Sequence, residues 1–414
     1  LVIIPGWVSN VEQIWDVPES SKFYADLARS FRVTLFDKRG TGVSDRTVGA
    51  PTLENRMDDM RAVMDDAGIA KSVVYGISEG GSLALLFAAT YPDRVTALAL
   101  FGAFACREKK PDYPWAPSPS ERQLFYDAIQ SGWAGEMDLS NVAPTLIGDE
   151  ERMARWCRYL RSSASPSGAL QLAKLNTAID VRHVLPAVRA RTVVMHRQGD
   201  RDVKLAEARY LAARLPNAEL RELPGEDHLP TVGDTQPILS ALKELAGVAD
   251  SGSVDRRMLA TLLFTDIVGS TDHLRQLGDA DWTKLMTMHN ESAQRLVRQH
   301  RGHVVKFTGD GLLAYFDGPA RAARCALQLA KEVKEMGLDN RAAVHTCEVE
   351  LAADDLMGLG VHLAARAMAV AGPGEVLATG TTKALVSGSG LQFEHAGSHS
   401  FRGFDELVDV YVVS

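Results

Sequence analysis

Two aspartates in the second half of the chain each follow a short apolar run: Asp266 in Phe264-Thr-Asp-Ile-Val-Gly-Ser-Thr271, and Asp310 in Lys306-Phe-Thr-Gly-Asp-Gly311. At the ends of neighbouring strands their carboxylates would offer the hard oxygen ligands that magnesium or manganese takes. Two such ions can clamp the attacking and leaving oxygens of a displacement. The turn of Ile267, Val268, Gly269, Ser270 and Thr271 opens toward a helix, so its backbone N–H groups could receive a triphosphate, with Gly269 permitting close approach. Further on, Asp355, His362 and Arg366 fall in one stretch, a carboxylate, a ring donor and a fixed cation. In the first half, Gly76-Ile-Ser-Glu-Gly80 places Ser78 between an apolar run and the helical pattern of Ser82 to Thr90, the setting of a strained nucleophile elbow.

The elements that must position these residues differ between the halves. The first alternates strand-like runs (Leu1 to Ile4, Val33 to Phe36, Ser72 to Tyr75, Ala97 to Phe101, Thr192 to His196, Glu219 to Leu223) with helical patterns, which predicts a mostly parallel sheet flanked by helices. From about 104 to 181 the strand signal stops, and proline-rich and aromatic segments predict a helical cap over a pocket. The second half reads strand, helix, strand pair, helix, strand, a β-α-β-β-α-β order. Its helical stripes, Trp282, Leu285, Met288, Ser292 and Leu296 in one and Ala323, Ala326, Leu327, Ala330 and Val333 in the other, are expected core positions. The small and polar residues of 247–256 predict a linker between a first domain at 1–246 and a second at 257–414.

A chain of 414 residues exceeds one usual hydrophobic core, and 46% hydrophobic with 24% charged residues is ordinary globular composition. A formal net charge of −8 argues against a nucleic-acid partner. The scattered Cys106, Cys157, Cys325 and Cys347 form neither a metal spacing nor a disulfide framework, which predicts a reducing, cytoplasmic setting. No apolar stretch is long enough to span a bilayer. The chain begins at Leu1 inside an apolar run, from which residues missing upstream are expected.

On these motifs, Leu259 to Ser414 resembles the catalytic domain of class III nucleotidyl cyclases, an α+β ferredoxin-like fold. The resemblance implies that Asp266 and Asp310 hold two magnesium or manganese ions and that Arg366 stabilises the transition state. It implies that Lys306 and Asp355 read adenine: an ammonium donates to a ring nitrogen and a carboxylate accepts from the exocyclic amine, which favours ATP over guanosine triphosphate. Sites in that family are shared between two chains, so a homodimer with two equivalent sites is implied. One departure stands four residues before Arg366, where the family has asparagine and this chain has His362. Losing part of an amide's role there predicts a penalty of roughly 1–3 kcal/mol in the barrier. Cys347, where glycine is frequent, is expected to be a packing difference.

Leu1 to Ala246 resembles the α/β-hydrolases, with their chain order in Ser78, Asp200 and His228. The resemblance implies Ser78 as nucleophile, His228 as base, Asp200 as its orienter, and the N–H groups of Trp7 and Glu79 as oxyanion hole. Asp202 is a competing acid, and His196 and His183 are expected to be ordinary polar residues. Pro5 replaces a frequent histidine, Lys204 a frequent proline, and the usual first two strands are absent. Together the two resemblances predict a metal-dependent adenylate cyclase preceded by an esterase-like or ligand-sensing domain whose pocket takes an acyl ester or small apolar ligand and needs no cofactor. The alternative is an ester hydrolase with a degenerate, nucleotide-binding cyclase-like partner.

Overall fold

The computed structural model describes every residue except 47–51, 134–139, 248–256, 353–354 and 405, so most of the expected linker lies outside the described residues. The chain divides into two compact units, Leu1–Asp255 and Arg256–Ser414.

In the first unit, six strands pair in parallel in the order β2-β1-β3-β4-β5-β6: β1 (Val2–Ile4), β2 (Thr34–Leu35), β3 (Ser72–Ile77), β4 (Val95–Phe101), β5 (Thr192–Arg197) and β6 (Ala218–Leu223). β3 and β5 are buried at every position, as their near-continuous apolar runs require for a sheet covered on both faces. The Glu79–Thr90 helix is buried along its whole length. Gly80 and Gly81 make this possible: a Cβ on Gly80 would stand 2.3 Å from the Ile4 carbonyl oxygen, and one on Gly81 2.4 Å from Ala103 Cβ. The cap expected from about 104 to 181 contains the helices Pro119–Gly132, Glu150–Ser163 and Pro166–Thr177. Ser118, Asp149 and Ser165 cap them, and Pro119 and Pro166 occupy the first turns, where a missing N–H costs nothing.

In the second unit a mixed sheet runs β13-β14-β12-β10-β7-β9-β8. Its strands are β7 (Arg257–Ile267), β8 (Gly302–Phe307), β9 (Leu312–Phe316), β10 (Asn340–Ala352), β12 (Val376–Thr379), β13 (Phe393–His399) and β14 (Val408–Val413), and β11 (Asp355–Met357) pairs with the far end of β10. The period of two splits β7 cleanly. Leu263 and Ile267 pack under the Asp279–Gln299 and Pro319–Glu335 helices, whereas Ala260, Leu262 and Phe264 face β11 and the Leu359–Ala369 helix. β10 runs through 352, well past the Ala342 to His345 expected, because the alternation Thr346-Cys-Glu-Val-Glu350 continues its antiparallel ladder with β7. Met288 corrects the predicted stripe: it is exposed, and His289, Ala293 and Val297 take the buried face beside Ser292 and Leu296. A stripe drawn at steps of three and four drifts by a residue over five turns, and the helix settles on its most apolar continuous face. Among the described residues no helix is long and apolar enough to cross a membrane.

Candidate active sites

Ser78 follows β3 at φ 53° and ψ −123°, a strained conformation for a residue with a side chain, and its N–H donates to the Phe101 carbonyl at 2.9 Å. A Cβ on Gly76 would stand 2.6 Å from Gly81 Cα, so the sharp strand-to-helix turn needs its glycines. After β5, Asp200 accepts from the backbone N–H groups of Asp202 and Val203 at 3.0 and 3.1 Å, which fixes its carboxylate. Its Oδ2 lies 2.7 Å from His228 Nδ1. His228 Nε2 is buried without a hydrogen-bond partner, and both His228 and Ser78 line one cavity of about 190 Å³. Burial opposes charging of His228, but Asp200, at hydrogen-bond distance, and then Asp202 outweigh it, so its pKa is raised above the usual histidine value. Gly102, at φ +56°, lies against the imidazole: a Cβ there would be 2.8 Å from Cε1.

Asp202 is the lesser acid here, at 3.8 Å from His228 Nε2 and held instead by Arg107 at 2.8 Å. His196 is buried and bonded to the Val203 carbonyl. The backbone N–H groups of Trp7 and Glu79 have no acceptor among the described residues, which leaves them free to meet a developing oxyanion. The sequence reading missed what holds them. Lys38, itself buried, donates to the Gly6 carbonyl at 2.5 Å and stands 3.4 Å from Glu79 Oε1, with Arg56 paired to the same carboxylate. Asn176 of the cap donates to Glu79 Oε2 at 3.2 Å. Charged residues beside an otherwise apolar run, as in Phe36-Asp-Lys-Arg39, were the available signal.

In the second unit Thr265 pairs with Leu312, so Asp266 and Asp310 flank adjacent ends of β7 and β9. Gly311 is obligatory at this junction: a Cβ would stand 2.4 Å from the Thr265 carbonyl oxygen. Asp266 shares the face of Phe264 and is bonded by Arg341, its cross-strand neighbour, at 2.7 Å. Among the described residues no group of three His, Cys, Asp or Glu side chains gathers as an all-protein cage. Two carboxylates at a strand junction nevertheless fit magnesium or manganese, which retains waters and takes further oxygens from a phosphate.

Of the proposed triphosphate loop, the Val268 N–H is committed to the Asp339 carbonyl at 2.8 Å, and Ile267 lies in the ladder with β10. Gly269, at φ +66°, begins the Ser270–Leu277 helix, so Ser270 and Thr271 supply the first free N–H groups. Past a bulge at Val305, Lys306 pairs with Leu313 and lies 2.5 Å from Asp355 Oδ2, two residues separated by 49 positions. The hydrogen bond from Lys306, then the Leu356 N–H, hold the Asp355 carboxyl below its ordinary pKa. His362 is exposed on the Leu359–Ala369 helix. Arg366, one turn on, lies over the Phe404 ring at 5.8 Å, and among the described residues neither side chain bonds to Asp266 or Asp310. Cys347 packs where a Cβ on Gly360 would stand 2.2 Å from its sulfur, and burial pushes its thiol up to about 12.

An elbow serine with a buried histidine–aspartate pair on a parallel sheet, and paired aspartates on a mixed sheet, define a hydrolase-type fold joined to a cyclase-type fold. Residues 1–176 match the family model of the alpha/beta hydrolase fold, and residues 254–414 match that of the adenylate and guanylate cyclase catalytic domain. The chain therefore carries an alpha/beta hydrolase domain followed by a class III adenylate/guanylate cyclase catalytic domain. It is 30% identical over 168 residues to "Putative adenylate cyclase 3" of Rhizobium meliloti, covering 38% of this chain and 29% of that protein's length. It is 26% identical over 250 residues to a pimeloyl-(acyl-carrier protein) methyl ester esterase of Nitrosomonas europaea, covering 59% of this chain and 94% of that one. In fold alone, it is similar to the crystal structure of a bromoperoxidase from Bacillus anthracis, with a TM-score of 0.52 at 19% identity over 59% of this chain and 91% of that one.

Proposed function

We propose that the chain is an adenylate cyclase that converts ATP to 3′,5′-cyclic AMP and pyrophosphate, with an N-terminal serine ester hydrolase domain. The observation that carries the cyclase reading is the Lys306–Asp355 pair at 2.5 Å, an adjacent donor and acceptor on the face that also holds Asp266. Together they match the ring nitrogen and exocyclic amine of adenine, and guanine would leave both mismatched. Asp266 and Asp310 would hold two magnesium or manganese ions, which supply activation of the ribose 3′-hydroxyl and neutralisation of the pyrophosphate. Before metal arrives, Arg341 keeps the Asp266 carboxylate ordered. The Ser270 and Thr271 N–H groups receive phosphate oxygens, and Arg366 places its charge on the phosphoryl oxygens during in-line attack.

A homodimer sharing two sites completes this reading. Met357 and Leu359 flank the strand and helix that carry Asp355, His362 and Arg366, and are 51% and 71% exposed. Large apolar side chains beside a site whose arginine does not meet the aspartates of its own chain fit burial by a second copy.

For the hydrolase, Ser78 Oγ attacks an ester carbonyl as His228 Nε2 takes its proton, Asp200 holds the imidazole tautomer, and the Trp7 and Glu79 N–H groups receive the oxyanion. The test is cyclic AMP formation from ATP with magnesium or manganese, together with cleavage of short acyl esters. Asp310→Ala is expected to abolish the first and spare the second, and Ser78→Ala to do the reverse. Cyclic AMP formation that survives Asp310→Ala would overturn the metal-site assignment.

A further inference from the structure

We infer that the cavity lined by Ser78 is built for an acyl ester that carries a second, anionic group, and that the Arg122 guanidinium receives that group. The ester half of this statement rests on the serine-hydrolase reading; the anion half rests on the charges of the cavity itself.

Arg122 belongs to the Pro119–Gly132 helix, lines the cavity and is 6% exposed. Its Nε donates to Thr177 Oγ1 at 2.8 Å and its Nη2 to the Ala173 carbonyl at 3.3 Å, both neutral acceptors. Its other neighbours are the faces of Phe125 and Tyr126, 4.8 and 5.5 Å from the guanidinium carbon. Among the described residues no carboxylate lies within ion-pair distance of it, and the Tyr126 phenol, its remaining polar neighbour, is neutral. Buried arginines are ordinarily paired, because an isolated charge is costly away from water.

The surrounding charges do not supply the missing partner. Arg107, 3% exposed on the same lining, is answered by Asp202 at 2.8 Å. Glu79 is already shared by Lys38 and Arg56. Burial first, then the like charge of Arg107, lower the pKa of Arg122, and Tyr126 and the more distant Asp202 offset only part of this. One positive charge therefore remains unanswered at the lining. A second polar group there is also unused: Asn176 Oδ1 is buried without a partner, its Nδ2 being committed to Glu79. Much of the rest of the wall, including Trp7, Phe125, Trp156 and Leu229, is apolar. A volume of about 190 Å³ suits a short chain, since an apolar cavity of roughly 150 Å³ accepts benzene. A short acyl chain ending in a carboxylate meets both demands: its methylenes take the apolar wall and its charge takes Arg122. Hydrolysis would break the acyl C–O bond, water giving its hydroxyl to the acyl carbon and its proton to the departing alcohol, so the product is a small dicarboxylic acid.

The experiment uses the full chain with mono-p-nitrophenyl glutarate and p-nitrophenyl pentanoate, whose acyl chains have equal carbon number and differ in the terminal charge. The expected kcat/KM ratio favours the glutarate ester by about tenfold or more, the scale of a charge-assisted hydrogen-bond pair. Arg122→Met is expected to bring that ratio to near unity, and Arg122→Lys, which keeps a cation on the same stem, to restore part of it. A ratio favouring pentanoate, or one that Arg122→Met leaves standing, overturns the proposal. Glutarate binding to Ser78→Ala, read as a rise in Tm, separates this proposal from the hydrolase reading. If neither ester is cleaved but glutarate raises Tm only while Arg122 is present, the anion site stands and the hydrolase reading falls. If glutarate raises no Tm, the anion site falls whatever the esters do.

Discussion

At the scale of single residues, each site turns on the partner of one ring. His228 must be neutral to take the proton of Ser78, so ester cleavage should rise with pH through its pKa, which lies above the ordinary histidine value. Asp202, 3.8 Å from Nε2, is one of the charges that raise it, whereas Arg107 acts in the opposite sense. Asp202→Asn removes the negative charge and leaves Arg107 with one fewer carboxylate to oppose it. The acidic limb of the kcat/KM profile should then move to lower pH; a limb that stays would show that Asp200 alone sets the titration, and one that moves up would contradict the sign given to Asp202. In the cyclase domain, His362 is exposed and can supply at most part of an amide's bonding. His362→Asn is expected to raise cyclic AMP turnover by about ten- to a hundredfold without altering the preference for ATP over guanosine triphosphate. An unchanged or lower rate would detach His362 from the reaction.

At the scale of elements, the structure shows why some positions could be read in the chain and others could not. Ser78 and Asp200 lie just past the end of an apolar strand and Asp266 near the end of one, so a period-two pattern locates them, and glycines at 76, 80 and 311 mark the close backbone approaches beside them. Arg122 and Asn176 carry no such mark. Their meaning arises only when the sheet and cap fold together, as in the bond from Asn176 to Glu79 across 97 positions. Met288 was misassigned because helical spacing alone fixes a face only to within one residue, and the exposed side chain still satisfies the pattern. The Lys38 link has a specific consequence. In the planar, trans peptide joining Gly6 to Trp7, the carbonyl and N–H point in opposite directions. Lys38, by holding that carbonyl, aims the Trp7 N–H into the cavity, and by holding Glu79 it ties together the segments that supply both donors. Lys38→Met should therefore lower kcat for ester cleavage by about ten- to a hundredfold with KM little changed, somewhat less than outright removal of an oxyanion donor. A rise in KM at constant kcat would instead mean that Lys38 shapes only the cavity.

At the scale of the whole molecule, the proposed reading puts two chemistries in two separate cores, so each should be removable without the other, and it asks for a second chain only in the cyclase. The hydrolase triad, its N–H donors and its cavity all come from residues of one unit. The cyclase domain pairs Lys306 with Asp355, but Arg366 turns to Phe404 and bonds to neither aspartate, while Leu359 stands 71% exposed at the start of the same helix. If a partner copy covers that helix, a charge at Leu359 is buried against apolar surface and the association is lost, whereas the same charge on a free surface costs little. Leu359→Glu is thus expected to leave ester cleavage and the fold intact, to convert dimer to monomer in sedimentation, and to abolish cyclic AMP formation. Dilution of the unaltered chain should act in the same direction, lowering the specific cyclase rate but not the esterase rate. A monomeric chain whose cyclase rate per molecule is constant on dilution would place the complete site within one copy, and the orientation of Arg366 over Phe404 would then have to change on nucleotide binding.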